Sequence, residues 1–231
     1  MKPFKVPVAL APFFALALVA SNAAQREIYF TDFEDAIPGN DNLVGYDNWN
    51  GNPQGRGSHG IDAAAVPGLG QSAFIGYASP GGNTNSAIVL RPILHDPVAS
   101  GEPIIRLVAA IGLNDSDNNN NSNRNSFFIT FLNSSGKPLA SLNYNNTEEG
   151  FGLWRDDGIE THDTGEEFIR NEVQLLVAEI DFANNTWSVD LDGFQIFRDQ
   201  PFTADHEVAR DLGGTAISWQ RGSGNNWGNN W

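Results

Sequence analysis

The chain has 231 residues, with 28 Asp and Glu against 13 Lys and Arg, a formal charge of −15 and no cysteine. Charge of this sign repels phosphate backbones and anionic bilayers, so nucleic acid is excluded as a partner. The absence of cysteine rules out disulfides, thiolate metal sites and a cysteine nucleophile, which leaves the fold to be held by its core alone.

Residues 1–24 read as a secretory signal. Lys2 and Lys5 form a positive start, Val6 to Ala20 are apolar, and the small residues Ser21, Ala23 and Ala24 suit cleavage. The apolar run is shorter than the roughly 20 residues that a bilayer span needs. No second such run follows, so membrane insertion is not expected and the chain is placed outside the cytoplasm, secreted or periplasmic. Removing the leader leaves 207 residues, 25–231, expected as a single domain, and takes the charge to −17 because two lysines go with it.

The full chain holds 15 Phe, 6 Trp, 24 Gly and 12 Pro, residues that favour strands and turns over helices. In chain order, strands are predicted at Ile28–Phe33, Ser72–Tyr77, Ala87–Leu90, Ile104–Leu113, Phe127–Leu132, Leu139–Tyr144, Phe151–Trp154 and Ala216–Trp219. The Gly-rich stretches Gly51–Gly60 and Gly81-Gly82, and the polar run Asn114–Asn125, read as loops. Phe168, Val173, Leu176 and Val177 fit one helical face, but the stretch runs into a strand pattern and is read as mostly strand. The strongest signal spans Val173–Phe197. Leu176, Ala178 and Ile180 alternate with Val177 and Glu179, and Trp187, Val189 and Leu191 alternate with Ser188 and Asp190. Asp192-Gly193 then supplies a two-residue hairpin turn, giving a three-strand antiparallel meander. Many short strands with turn signals between them predict an all-β, two-sheet antiparallel sandwich of jelly-roll type.

The segments TDFE (Thr31–Glu34), Trp49-Asn50-Gly51, GQSAFIGY (Gly70–Tyr77) and EIDFANNTWSVDLDGFQIF together resemble secreted bacterial domains of the concanavalin A-like lectin/glucanase superfamily, nearest to its LamG-like jelly rolls. The resemblance implies a sandwich of two antiparallel sheets, with carbohydrate or protein binding common and catalysis confined to some branches. Such domains usually close with a strand bearing paired aspartates beside the first strand. Here the sequence ends in the Gly/Asn-rich GSGNNWGNNW: either this tail replaces the closing strand, or the strand is missing and the first strand offers an open edge.

Glu179-Ile180-Asp181-Phe182-Ala183-Asn184 is similar to the laminarinase-type strand motif, in which Glu and Asp share a face and a second Glu follows. Asn184 occupies that last position, and an amide cannot give and recover a proton as the retaining mechanism requires. No catalytic residue is assigned. For metals, Asp115, Asp117 and Asn119 alternate like the oxygen ligands of a calcium loop, although Asn120 and Ser126 stand where an EF-hand has Gly and Glu. A solvated loop is the competing reading. Glu34, beside Asp32 and Asp35, is a further candidate ligand. No cofactor is required, and structural calcium is the metal these residues admit. Trp49, Trp227 and Trp231, set among Asn and Asp residues including Asn226, are candidates for stacking on sugar rings. Trp187 is assigned to the core.

These features point to a secreted non-catalytic module whose partner is a carbohydrate or cell-surface polymer. Two other readings stay open. One is a structural or assembly protein that pairs through an exposed edge strand. The other is a laminarinase-like hydrolase.

Overall fold

The computed structural model describes residues 26–40, 42–51, 57–63, 70–77, 86–113, 126–147 and 150–220. The chain divides after residue 30, and in the first unit the described residues 26–30 have no regular element. The second unit, 31–231, carries all the described strands. In chain order these are β1 Gly39–Asn40, β2 Asn50–Gly51, β3 Gly57–Asp62, β4 Ser72–Tyr77, β5 Ser86–His95, β6 Ile104–Gly112 and β7 Ser126–Leu132. There follow β8 Pro138–Thr147, β9 Gly150–Asp156, β10 Thr161–Glu167, β11 Val173–Asp181, β12 Thr186–Leu191, β13 Phe194–Pro201 and β14 Leu212–Gln220. One 3-10 turn, Tyr46–Asn48, is the helical element among the described residues.

Pairing is antiparallel throughout the described strands. Seven strands run β10-β9-β8-β7-β14-β5-β2, four run β13-β12-β11-β6, and a small sheet runs β1-β3-β4. The protein is an all-β antiparallel sandwich. Strand alternation decides which side chains meet between the layers. On β7, Phe127, Ile129 and Phe131 are buried while their neighbours are half-exposed, and on β12 Trp187, Val189 and Leu191 are buried. Phe131 and Trp187 join the two layers, ring edge to face with centroids 6.2 Å apart, and Phe202 packs on both. Ile61 of β3 and Ile75 of β4 belong to the same apolar cluster. Each large ring buried here contributes on the order of 2–3 kcal/mol of transfer free energy.

The β11–β12–β13 meander forms as its alternation requires. Leu176, Ala178 and Ile180 are buried, and Asp192 and Gly193 take φ 53° and 79°, the mirror-image turn that a two-residue hairpin needs. Two expectations are corrected. The strand at Ile28–Phe33 does not form: Phe33 sits at φ 60°, its N–H donates to Thr31 Oγ1, and its carbonyl accepts from Ala36 N, so the chain turns instead of extending. The open edge expected of that strand is therefore not at that place. The Gly51–Gly60 loop contains the start of β3. The polar sequence THDTGEE, for which no element was expected, forms β10.

Candidate functional site

The outer face of the seven-stranded sheet is fixed by register. Directly opposed residues point to the same side, so the chain of partners Asp163–Trp154–Asn143–Phe128–Ser218–Ile88 forms one row across six strands. Phe127, Tyr144 and Leu153, one position away on β7, β8 and β9, are buried in the core, which puts this row on the opposite, open side. A neighbouring row on that side is Thr161–Asp156–Ser141–Thr130–Ala216–Leu90, in which Ser141 and Ala216 are buried, and on the other flank Glu167, Gly152, Asn145 and Ser126 align.

Trp154 is half-buried and leans along its own strand. Its indole Nε1 lies 3.0 Å from where a Cβ on Gly152 would stand, so the glycine leaves the space the ring occupies. Phe128 is the second half-buried aromatic of the row, two strand steps or about 10 Å away. Between them, the Asn143 Oδ1 is shielded from water and has no hydrogen-bond partner within the chain. A shielded acceptor without a partner costs about 1–3 kcal/mol.

The outward residues of these three rows include Asp156, Asp163 and Glu167 and neither Lys nor Arg. Two of the acids are already engaged by backbone. Asp156 accepts from Gly158 N at 2.7 Å and from Thr161 Oγ1 at 2.9 Å, and Asp163 accepts from Gly165 N at 2.9 Å. The surface is thus aromatic, hydroxyl- and amide-rich, and weakly acidic.

A separate charged cluster closes the β9–β10 hairpin. Asp157 is buried and accepts from His162 Nε2 at 2.9 Å and from the N–H groups of Ile159 and Glu160, with the Arg155 guanidinium 4.0 Å away. Burial opposes its ionisation and is the largest single influence. The hydrogen bonds from Glu160, His162 and Ile159 together outweigh it and hold the carboxyl below the usual range. Among the described residues His162 bonds Asp157, and the cluster locks the hairpin.

The residues singled out from sequence fall as follows. Trp49 lies inside, 6 % exposed, with its ring 6.3 Å from that of Phe33. The cause is the turn before it, where Asp47 and Asn48 take φ 40° and 61° and reverse the chain inward. Glu34 is committed to Gln71, accepting its N–H at 2.8 Å while the Gln71 amide donates to the Glu34 carbonyl at 2.8 Å. Asp32 accepts from Glu34 N, and Asp35 accepts from the Tyr46 hydroxyl. Among the described residues no group of three or more His, Asp or Glu side chains is placed to hold a metal ion. Asp115, Asp117, Asn226, Trp227 and Trp231 lie outside the described residues. Glu179 and Asp181 sit on the solvent face of the four-stranded sheet, where Glu179 is in register with Arg106 and Ser188. Asp181 accepts from both the backbone and the side chain of Asn184, at 2.9 and 2.7 Å, and these bonds hold its carboxyl below the usual range. Asn184 thus caps a turn.

Sequence reasoning placed Trp154 on a strand but did not single it out, nor Phe128 or Asn143. The available signal was their alternation with Leu153, Ile129 and Tyr144. The pairing that aligns them was not readable from any one segment.

No family model and no curated protein matches the chain. Among solved structures, a sialidase is similar over 77 % of this chain at 15 % identity with a TM-score of 0.50, and the chain spans 14 % of that protein's length. At that identity the likeness shows the fold alone. Lectin UEA-II complexed with galactose aligns over 84 % of this chain and 94 % of its own at 14 % identity, with a TM-score of 0.49. Carbohydrate-binding module CBM66 from Bacillus subtilis aligns over 75 % and 88 % at 11 % identity, with a TM-score of 0.42. Neither of these two scores lends weight to a ligand.

Proposed function

We propose that this chain is an exported, non-catalytic carbohydrate-binding module of the concanavalin A-like, LamG-like kind, and that it holds a neutral glycan on the outer face of the seven-stranded sheet. The observation that carries the reading is the row Trp154–Asn143–Phe128. Pyranose rings present an apolar face of C–H groups and a rim of hydroxyls. Two aromatic side chains in line give the apolar contact, with the half-buried Asn143 in register between them. Their separation of about 10 Å is close to the span of a disaccharide unit, which suits a linear chain laid across the strands.

Charge narrows the ligand. A carboxylated or sulfated sugar on this face meets Asp156, Asp163 and Glu167 with no Lys or Arg from the three rows to offset them, and like charges brought together weaken binding. Neutral sugars carry no such cost. The likeness to a sialidase brings no sialic acid specificity, because an anionic sugar is the class this surface repels.

Affinity electrophoresis in gels containing neutral, uronate-bearing or sulfated polysaccharides tests the reading. Retardation is expected in at least one neutral gel, absent in the anionic gels, and abolished by Trp154→Ala. Unchanged migration in every neutral gel, or full retardation of Trp154→Ala, overturns it. No hydrolysis of laminarin-type glucans is expected; turnover abolished by Glu179→Gln would restore the hydrolase reading.

A further inference from the structure

β6 lies at the end of the four-stranded sheet and, among the described strands, bonds to β11 alone. Its register with β11 is unbroken from Ile104 opposite Asp181 to Gly112 opposite Val173. It is therefore a long edge of nine residues with neither bulge nor proline, the kind that natural sheets normally blunt. Its outward residues Ile104 and Val108 are 55 % and 53 % exposed, next to Leu175 on β11 at 48 %. Its inward residues Ile105, Leu107 and Ile111 are half-buried, whereas Leu176, Ala178 and Ile180 on the adjacent strand are fully buried. One more strand beside β6 would complete the burial of that row.

We propose that the missing strand is β6 of a second copy, paired antiparallel about a two-fold axis at Val108 to give a continuous eight-stranded sheet. The sequence of the edge is self-complementary in that register. Val108 faces Val108, Leu107 faces Ala109, Ile105 faces Ile111, and the one charge, Arg106, faces Ala110 and not its own copy. Directly opposed like charges destabilise a sheet pair, and this register has none. The surroundings also favour self-association here over other surfaces. Two copies of charge −15 repel wherever acids meet, but no acidic residue lies between Glu102 and Asp115. Such a contact is isologous and closes on itself, giving a dimer and not a fibre. It uses the sheet opposite the glycan face and does not depend on the reading given for that face.

The test is light scattering after size exclusion, joined to cysteine cross-linking, which the chain permits because it has no cysteine of its own. Opposed residues of an antiparallel pair have Cα atoms about 4.5–5.5 Å apart, within the roughly 4.4–6.8 Å that a disulfide bridges. Val108→Cys is expected to oxidise to a covalent dimer. Ala110→Cys is expected to stay unlinked, since its copy lies four strand positions away, about 14 Å. The parent chain should run as a dimer and Val108→Lys as a monomer with the same circular dichroism. A monomeric parent, a dimer indifferent to Val108→Lys, or cross-linking at 110 as fast as at 108 overturns the proposal. Should Val108→Lys not fold, the two cysteine variants decide it.

Discussion

Trp154 and Phe128 point to the same side of the seven-stranded sheet, two strands apart, with Asn143 in register between them. None of the three is near another in sequence. The row exists because β7, β8 and β9 form a continuous meander whose buried partners Phe127, Tyr144 and Leu153 fix the phase of every strand.

Gly152 keeps that row usable. A Cβ there would come within 3.0 Å of the Trp154 indole nitrogen, so Gly152→Leu should lift the ring from its position. Glycan affinity is expected to fall about tenfold, near 1.4 kcal/mol, while stability holds or improves because a strand interior gains from a side chain. Titration of the intrinsic tryptophan fluorescence with a bound oligosaccharide, compared with urea midpoints, separates the two effects. Equal affinity in both proteins would detach Trp154 from binding.

Asp157 makes stability depend on pH in the acid range. Its folded carboxyl titrates below the usual Asp value of about 3.9, so as pH falls the unfolded chain takes up its proton first. The contribution is present above the unfolded value and is lost as pH drops through the folded one. In Asp157→Asn the slope of unfolding free energy against pH should flatten below about pH 4, measured by urea denaturation at closely spaced pH. An unchanged slope would assign the acid sensitivity to other carboxylates.

Tyr144 carries a hydroxyl that is buried and has no hydrogen-bond partner within the chain, against the Phe168 ring at 5.3 Å. Burial, with a smaller contribution from Asp192, pushes its ionisation up. Tyr144→Phe removes a desolvated polar group at almost constant shape and is expected to stabilise the fold by about 1 kcal/mol, read as a higher urea midpoint. A loss of similar size would mean that the hydroxyl is bonded in solution.

Chelation should leave the glycan face untouched. Glu34 is held by Gln71, and no described group of three acidic or imidazole side chains is placed for a metal. Binding to a neutral polysaccharide is expected to be equal in EDTA and in calcium. A requirement for calcium would move attention to Asp115 and Asp117.

The sequence was most legible where a single segment carries its own pattern. Trp187, Val189 and Leu191 alternate cleanly and end at Asp192-Gly193, and all three are buried. β10 was not legible because Thr161, Asp163 and Glu167 offer no apolar phase, the strand being an edge covered on neither side by core residues of its own. Ile28–Phe33 alternates well enough to be read as a strand, yet it joins no sheet among the described strands and Phe33 turns the chain. The site divides in the same way. Trp49 looked exposed because its neighbours are polar, but a tight turn points it inward. Trp154 looked ordinary because the face it shares with Phe128 is set by pairing among strands that each segment leaves unspecified.

The central claim is that ligand meets the outward side of β7, β8 and β9. Backbone amide shifts recorded by NMR while a bound neutral oligosaccharide is added test it most directly. Perturbations clustered on Phe128, Asn143 and Trp154 and their row neighbours, with the Trp154 indole proton among the largest, are the result the account requires. Shifts gathered instead on β11 to β13, or confined to residues 221–231, would contradict it.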